Sequence, residues 1–222
     1  MVRDRIMLTN LIVNQFMLKK GIDPEEYTHE IFFEDYVTRN SIAVVDRIPM
    51  IEAEFFLGVT VRSQRSTAIF LNQNATINRI RFSKCHELSH CLFDMNYRLP
   101  TQQFFNAGRK DNFYTEDEKV TESLANAAAG IIMTPDIKIV KFLHTEISFY
   151  RFAEMCRMSQ AALYYRLIEF CVYSADMDEI SAVRCVKKLQ DTKDRYHIRS
   201  YLSGWGSTKE KEIVSDFENA LG

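Results

Sequence analysis

The chain has 222 residues, of which 46% are hydrophobic, 12% aromatic and 26% charged, with only seven Gly and four Pro. That composition buries a core without disulfide staples and excludes a disordered, collagenous or low-complexity protein. Lys and Arg total 28 against 30 Asp and Glu, so a net charge of -2 gives no general attraction to nucleic acid or to an anionic membrane.

In chain order, residues 5–20 read as an amphipathic helix ending at Gly21. Asn10, Asn14 and Gln15 interrupt what would otherwise resemble a signal-peptide core, and no apolar run reaches membrane-spanning length. Asp23-Pro24-Glu25-Glu26 reads as a second helix start, with Asp23 as cap and a helix continuing through Phe32 and Phe33. A strand is expected near 42–46. Residues 54–62 and 67–72, rich in β-branched and aromatic side chains, form a hairpin across Ser63-Gln64-Arg65-Ser66. Residues 76–93 read as helix, 108–119 as a polar loop and 120–133 as an apolar helix stopped by Thr134-Pro135. Short helices follow at about 137–143, 147–155, 159–173, 177–190 and 208–220, with Trp205 marking a turn between Gly204 and Gly206. The order predicts an α+β fold, a small antiparallel sheet packed on a pair of helices, with further helices at both ends. Three segments are expected: a helical 1–50, a core at 51–136 and a helical 137–222 packed on it.

The chemistry is concentrated in the core. His86-Glu87-Leu88-Ser89-His90 is an HExxH pattern, which random order would produce about once in a hundred such chains. On a helix, positions i and i+4 share a face, so two imidazoles can bind one zinc ion. Glu87 projects beside them as a candidate general base. The stretch 86–136 carries eight acidic and four basic side chains, a balance that welcomes a cation. Zinc needs a third ligand, and the extended pattern HExxHxxGxxH is excluded because Phe93 and Asn96 stand at its Gly and His positions. A glutamate from the second helix is the other route. Glu122 is the candidate ligand, and Asn126, four residues on, can hold a ligand imidazole by its other nitrogen. Glu116 and Glu118 are rivals in the polar stretch. Asp94, at i+4 from His90, reads as solvated more readily than as a support for that ring. Tyr97, Tyr114 and His144 are candidate donors to a reaction oxyanion. Five cysteines without a CxxC pair read as reduced thiols, with Cys85 and Cys91 in the core.

Two separated blocks carry a family resemblance. One is Ile69-Phe70-Leu71-Asn72 followed by Arg81-Phe82-Ser83-Lys84-Cys85-His86-Glu87-Leu88-Ser89-His90. The other is Glu122-Ser123-Leu124-Ala125-Asn126 continuing to Met133-Thr134-Pro135. In this order they resemble the ImmA/IrrE family of bacterial metallopeptidases, whose pattern is an apolar strand with Asn, then RFTLAHELGH, then E-x-E-A-N-x-F-A-A-x-L-L-M-P. The chain departs from it at Cys85, Ser89, Asp94, Leu124 and Ala128, none of which is a proposed ligand or base. Residues 158–167 add a fainter echo of a helical segment found in the family.

The resemblance implies a cytoplasmic zinc endopeptidase with a gluzincin-like core, one zinc ion (or another divalent metal) on His86, His90 and Glu122, and Glu87 as base. It also implies a protein substrate, a helix-turn-helix repressor whose cleavage releases genes of a mobile element or a stress response. A regulator that binds a repressor without cutting it is the alternative. Strand 67–72 precedes the motif helix, and an exposed edge of its sheet is expected to align an extended substrate. Residues 147–170 can also be read as a helix-turn-helix with Ser159 capping its second helix. Arg166 is the only cation of that second helix, however, and residues 137–222 are near neutral. No direct nucleic-acid or membrane partner is therefore expected.

Overall fold

Alternating β-branched side chains and a run of periodic apolar residues settle into a sheet and helices in a computed structural model that describes residues 1–48, 56–106, 114–204 and 206–222. Residues 54–55 of the expected hairpin, 108–113 of the expected loop and the Trp205 turn lie outside the described residues. The fold is α+β: ten helices and one four-stranded sheet among the described residues. It divides into two units, Glu30–Ala129 and Met1–His29 with Gly130–Gly222. No helix among the described residues is long and apolar enough to cross a membrane.

The first unit holds α2 (His29–Arg39, from its second residue), β1 (Ile42–Ile48), β2 (Gly58–Arg62), β3 (Thr67–Asn72), α3 (Ile77–Phe93), β4 (Gln102–Asn106) and most of α4 (Glu116–Met133). The hairpin forms as expected. β2 and β3 pair antiparallel, closed by Ser63, whose backbone N–H donates to Ser66 O at 2.8 Å. The sheet is mixed rather than wholly antiparallel, because β1 joins β3 in parallel. Strand order among the described residues is β1-β3-β2-β4, so the 67–72 strand is interior. Among the described residues the outer strands are β1 and β4. β4, in a stretch to which the sequence assigned no element, pairs antiparallel with β2. Asn72 is fully buried and staples the sheet locally: its Nδ2 donates to Phe56 O at 2.8 Å and its Oδ1 accepts from Asn74 N. Helix α3 lies against β2, β3 and β4, burying Cys85 and Leu88 with Ile69 and Leu71. Helix α4 begins at Glu116, one turn earlier than Val120, because Glu118 Oε2 accepts from Thr115 N and Thr115 Oγ1.

The second unit holds α1 (Val2–Lys20) and, after α4, helices α5 (Asp136–Leu143), α6 (Phe149–Met155), α7 (Gln160–Tyr173), α8 (Glu179–Thr192), α9 (Tyr196–Ser203) and α10 (Lys209–Glu218). Gly21 ends α1 in the left-handed region at φ 65°, its N–H reaching Leu18 O and Met17 O. The helix is less one-sided than an amphipathic pattern, since Met7, Leu8 and Leu11 are exposed opposite buried Val13 and Met17. Asp23 caps a single turn and not a helix: its Oδ1 accepts from Glu25 N, and α2 starts only at His29. Ser148, Ser159 and Asp178 cap α6, α7 and α8 through side-chain oxygens that accept from the third residue on. Arg166 is buried. It pairs with Asp136 and donates from Nε to Thr134 O at 3.1 Å, so the one cation of the presumed recognition helix is spent inside the unit.

Candidate metal centre

Helix α3 carries His86 and His90 one turn apart, and α4 carries Glu122 and Asn126 at the same spacing. His86 Nε2 and His90 Nε2 are 3.2 Å apart. Glu122 Oε2 is 3.0 Å from His86 Nε2, and its Oε1 is 3.3 Å from His90 Nε2. Among the described residues, His86, His90 and Glu122 form a group whose ligating atoms all lie within 4.8 Å of one another. Both histidines are buried and Glu122 is partly so.

The outer nitrogens are engaged elsewhere. His86 Nδ1 is 3.0 Å from Asn126 Oδ1, as the i, i+4 spacing of Glu122 and Asn126 anticipates. His90 Nδ1 is 2.8 Å from Asp94 Oδ2. A carboxylate only accepts, which places the hydrogen of His90 on Nδ1 and leaves Nε2 to face inward. Asp94 is therefore not the solvated side chain that its position at a helix end suggests. Phe104 of β4 adds a support with no sequence signal: its ring stacks on His90, centroids 4.6 Å apart and planes within 7°.

The electrostatics agree with the geometry. Burial favours a neutral His90, but hydrogen bonds with Asp94 and Glu122 outweigh it and hold its pKa up at about 9. Burial likewise opposes the Glu122 carboxylate, yet hydrogen bonds from His86 and His90 bring its pKa down to about 2. Two nitrogens and a carboxylate oxygen converging on one point are also the donor set of a divalent ion such as zinc, so the residues present fit a metal.

Glu87 is fully buried. Its Oε2 accepts from Thr60 Oγ1 at 2.7 Å, while the buried Oε1 has no hydrogen-bond partner among the described residues. Burial raises its pKa, opposed by the charges of His86 and His90 and by the Thr60 hydrogen bond.

The other candidates separate. Glu116 pairs with Lys119 at 2.6 Å and Glu118 caps the start of α4, so neither rival to Glu122 joins the group. Tyr97 is 76% exposed, its ring 5.0 Å from the Arg62 guanidinium. Tyr114 donates its hydroxyl to Phe105 O at 2.7 Å. His144 belongs to the helical unit, where its Nε2 lies 2.7 Å from Glu210 Oε1. Cys85 and Cys91 are buried thiols; burial pushes Cys91 up to about 12 and Cys85 well above its ordinary value.

Residues 54–168, just over half of the chain, match the peptidase family described as the IrrE N-terminal-like domain. No curated protein matches the chain.

Proposed function

The chain belongs to the IrrE N-terminal-like domain family of peptidases, and we propose from that premise that it is a zinc-dependent endopeptidase of the cytoplasm that cuts one specific protein, a helix-turn-helix repressor. The observation that carries the reading is the convergence of His86, His90 and Glu122, with a buried carboxylate, Glu87, beside the two histidines. Support for the repressor as substrate comes from the resemblance of residues 69–135 to the ImmA/IrrE pattern. Five unpaired cysteines accord with a reducing compartment.

His86, His90 and Glu122 would hold the ion, and Asn126 and Asp94 keep the two imidazoles turned inward. When bound, zinc supplies Lewis acidity to a water and to the scissile carbonyl. Glu87 takes a proton from the water as its oxygen adds to the scissile carbonyl carbon, and gives that proton to the amide nitrogen as the C–N bond breaks. Tyr97 is our candidate oxyanion donor, because its side chain is exposed whereas Tyr114 is bonded to Phe105 O and His144 lies against Glu210. The outer edge of β4, the strand whose Phe104 stacks on His90, suits an extended substrate segment.

The test uses zinc-loaded protein, a panel of helix-turn-helix repressors and casein. Wild type cuts one repressor at a defined site and spares casein. Glu87→Gln keeps its zinc and its grip on the repressor but cuts about 10²–10⁴-fold more slowly. Equal cleavage by Glu87→Gln contradicts the mechanism. Capture of a repressor without cleavage by wild type establishes the non-proteolytic alternative, and broad digestion of casein contradicts narrow specificity.

A further inference from the structure

Strand β2 is paired along both sides, with β3 and with β4, so its side chains are carried on a rigid element. Residues two apart on a strand point to one face. On the buried face of β2 stand Gly58 and Thr60, and both meet Glu87. The Thr60 hydroxyl, fully buried, lies 2.7 Å from Glu87 Oε2 and 3.2 Å from the Glu87 backbone carbonyl. At Gly58 a Cβ would sit 2.7 Å from Glu87 Oε1, closer than real Cβ contacts come, and 3.0 Å from its Cγ, so the Glu87 side chain would have to shift to admit it. The residue paired with Thr60 across β4 is Phe104, the ring that stacks on His90. One cross-strand row thus touches both the carboxylate and a histidine of the centre.

We propose that Gly58 and Thr60 are positioning residues for Glu87: Thr60 pins Oε2, and the missing side chain at Gly58 leaves the room that Oε1 and Cγ occupy beside β2. This rests on the reading of Glu87 as the general base. The hydroxyl removes one rotational freedom from a side chain whose other oxygen must meet a water. A carboxylate free to swing spends less time aimed at the reacting proton, and loss of alignment of this kind lowers turnover about tenfold to a hundredfold. Zinc binding is untouched, because neither residue contributes to the His86, His90 and Glu122 group.

Thr60→Val keeps the shape and deletes the hydroxyl, Thr60→Ser keeps the hydroxyl, and Gly58→Ala inserts the Cβ. Turnover is measured on the peptide that wild type cuts fastest from a proteome-derived peptide library, alongside zinc content and a urea midpoint for each variant. The expected result for Thr60→Val is wild-type zinc content and KM with kcat about 10- to 100-fold lower, restored to within a few-fold by Thr60→Ser. Gly58→Ala shows a similar or larger loss. In the zinc-free protein, the midpoint shifts of Thr60→Val and Glu87→Ala are smaller together than their sum, since both delete one contact. Wild-type kcat in Thr60→Val, failure of Thr60→Ser to restore it, or additive midpoint shifts overturns the proposal. Undiminished kcat in Glu87→Gln, or a wild type that cuts nothing, instead defeats the base reading, and the urea cycle then still decides whether the contact exists.

Discussion

His90 is held from four directions: Asp94 on Nδ1, Phe104 against its ring face, and His86 and Glu122 around Nε2. Burial favours the neutral ring, but the hydrogen bonds with Asp94 and Glu122 and the charge of Glu87 outweigh it, favour the protonated ring and raise its pKa to about 9. Zinc needs the lone pair that this proton occupies, so below that value the two compete. The sign follows directly. Apparent zinc affinity rises about tenfold per pH unit as the solution approaches the His90 pKa from below, then levels off above it. Competition with a chelating dye across that range measures it, and a pH-independent affinity contradicts it. The HExxH spacing and the Glu122–Asn126 spacing were legible because both depend only on the helix repeat. Asp94 shares that repeat, yet its pattern equally fits a solvated helix end, and only the fold distinguishes the two. Phe104 and Thr60 were not legible, since strand pairing brings them to the centre from distant positions in the chain.

At the scale of elements, α5 and α7 are tied by a buried charge pair. Arg166 reaches Asp136, whose Oδ2 also accepts from Ser174 Oγ at 2.6 Å. Removing one partner of such a pair leaves an uncompensated buried charge, which costs about 3–5 kcal/mol. Arg166→Met is therefore expected to lower the stability of the protein by that amount in urea unfolding, and a loss below about 1 kcal/mol contradicts the assignment. Most helices were legible from periodicity, caps and the Thr134-Pro135 stop. Strand β4 was not: its five residues, QQFFN, show two adjacent Phe and no clean alternation, and its partner β2 lies some forty residues earlier. Helix α9 has only eight residues, about two turns, which gives periodicity little to register. The Asp23 turn was misread because an Asx turn and a helix cap begin with the same residues.

At the scale of the whole molecule, the chain's first 29 residues group with residues 130–222. Inside that unit Asp136 N donates to Asn10 Oδ1, Gln15 Nε2 to Ala220 O and Tyr27 Oη to Ile132 O, at 2.9, 2.9 and 2.7 Å. Lys138, buried, donates from Nζ to Glu25 O and Tyr27 O. No local window of sequence reveals contacts between residues so far apart. The candidate centre, by contrast, lies wholly within Glu30–Ala129, where the two motif blocks supply every one of its metal-facing atoms. The measurement that tests this centre most directly is metal content by mass spectrometry on purified wild type and Glu122→Ala. The account predicts about one zinc per wild-type chain, lost or sharply weakened in the variant. Wild type without metal after dialysis against zinc, or a variant that holds zinc as tightly as wild type, contradicts it.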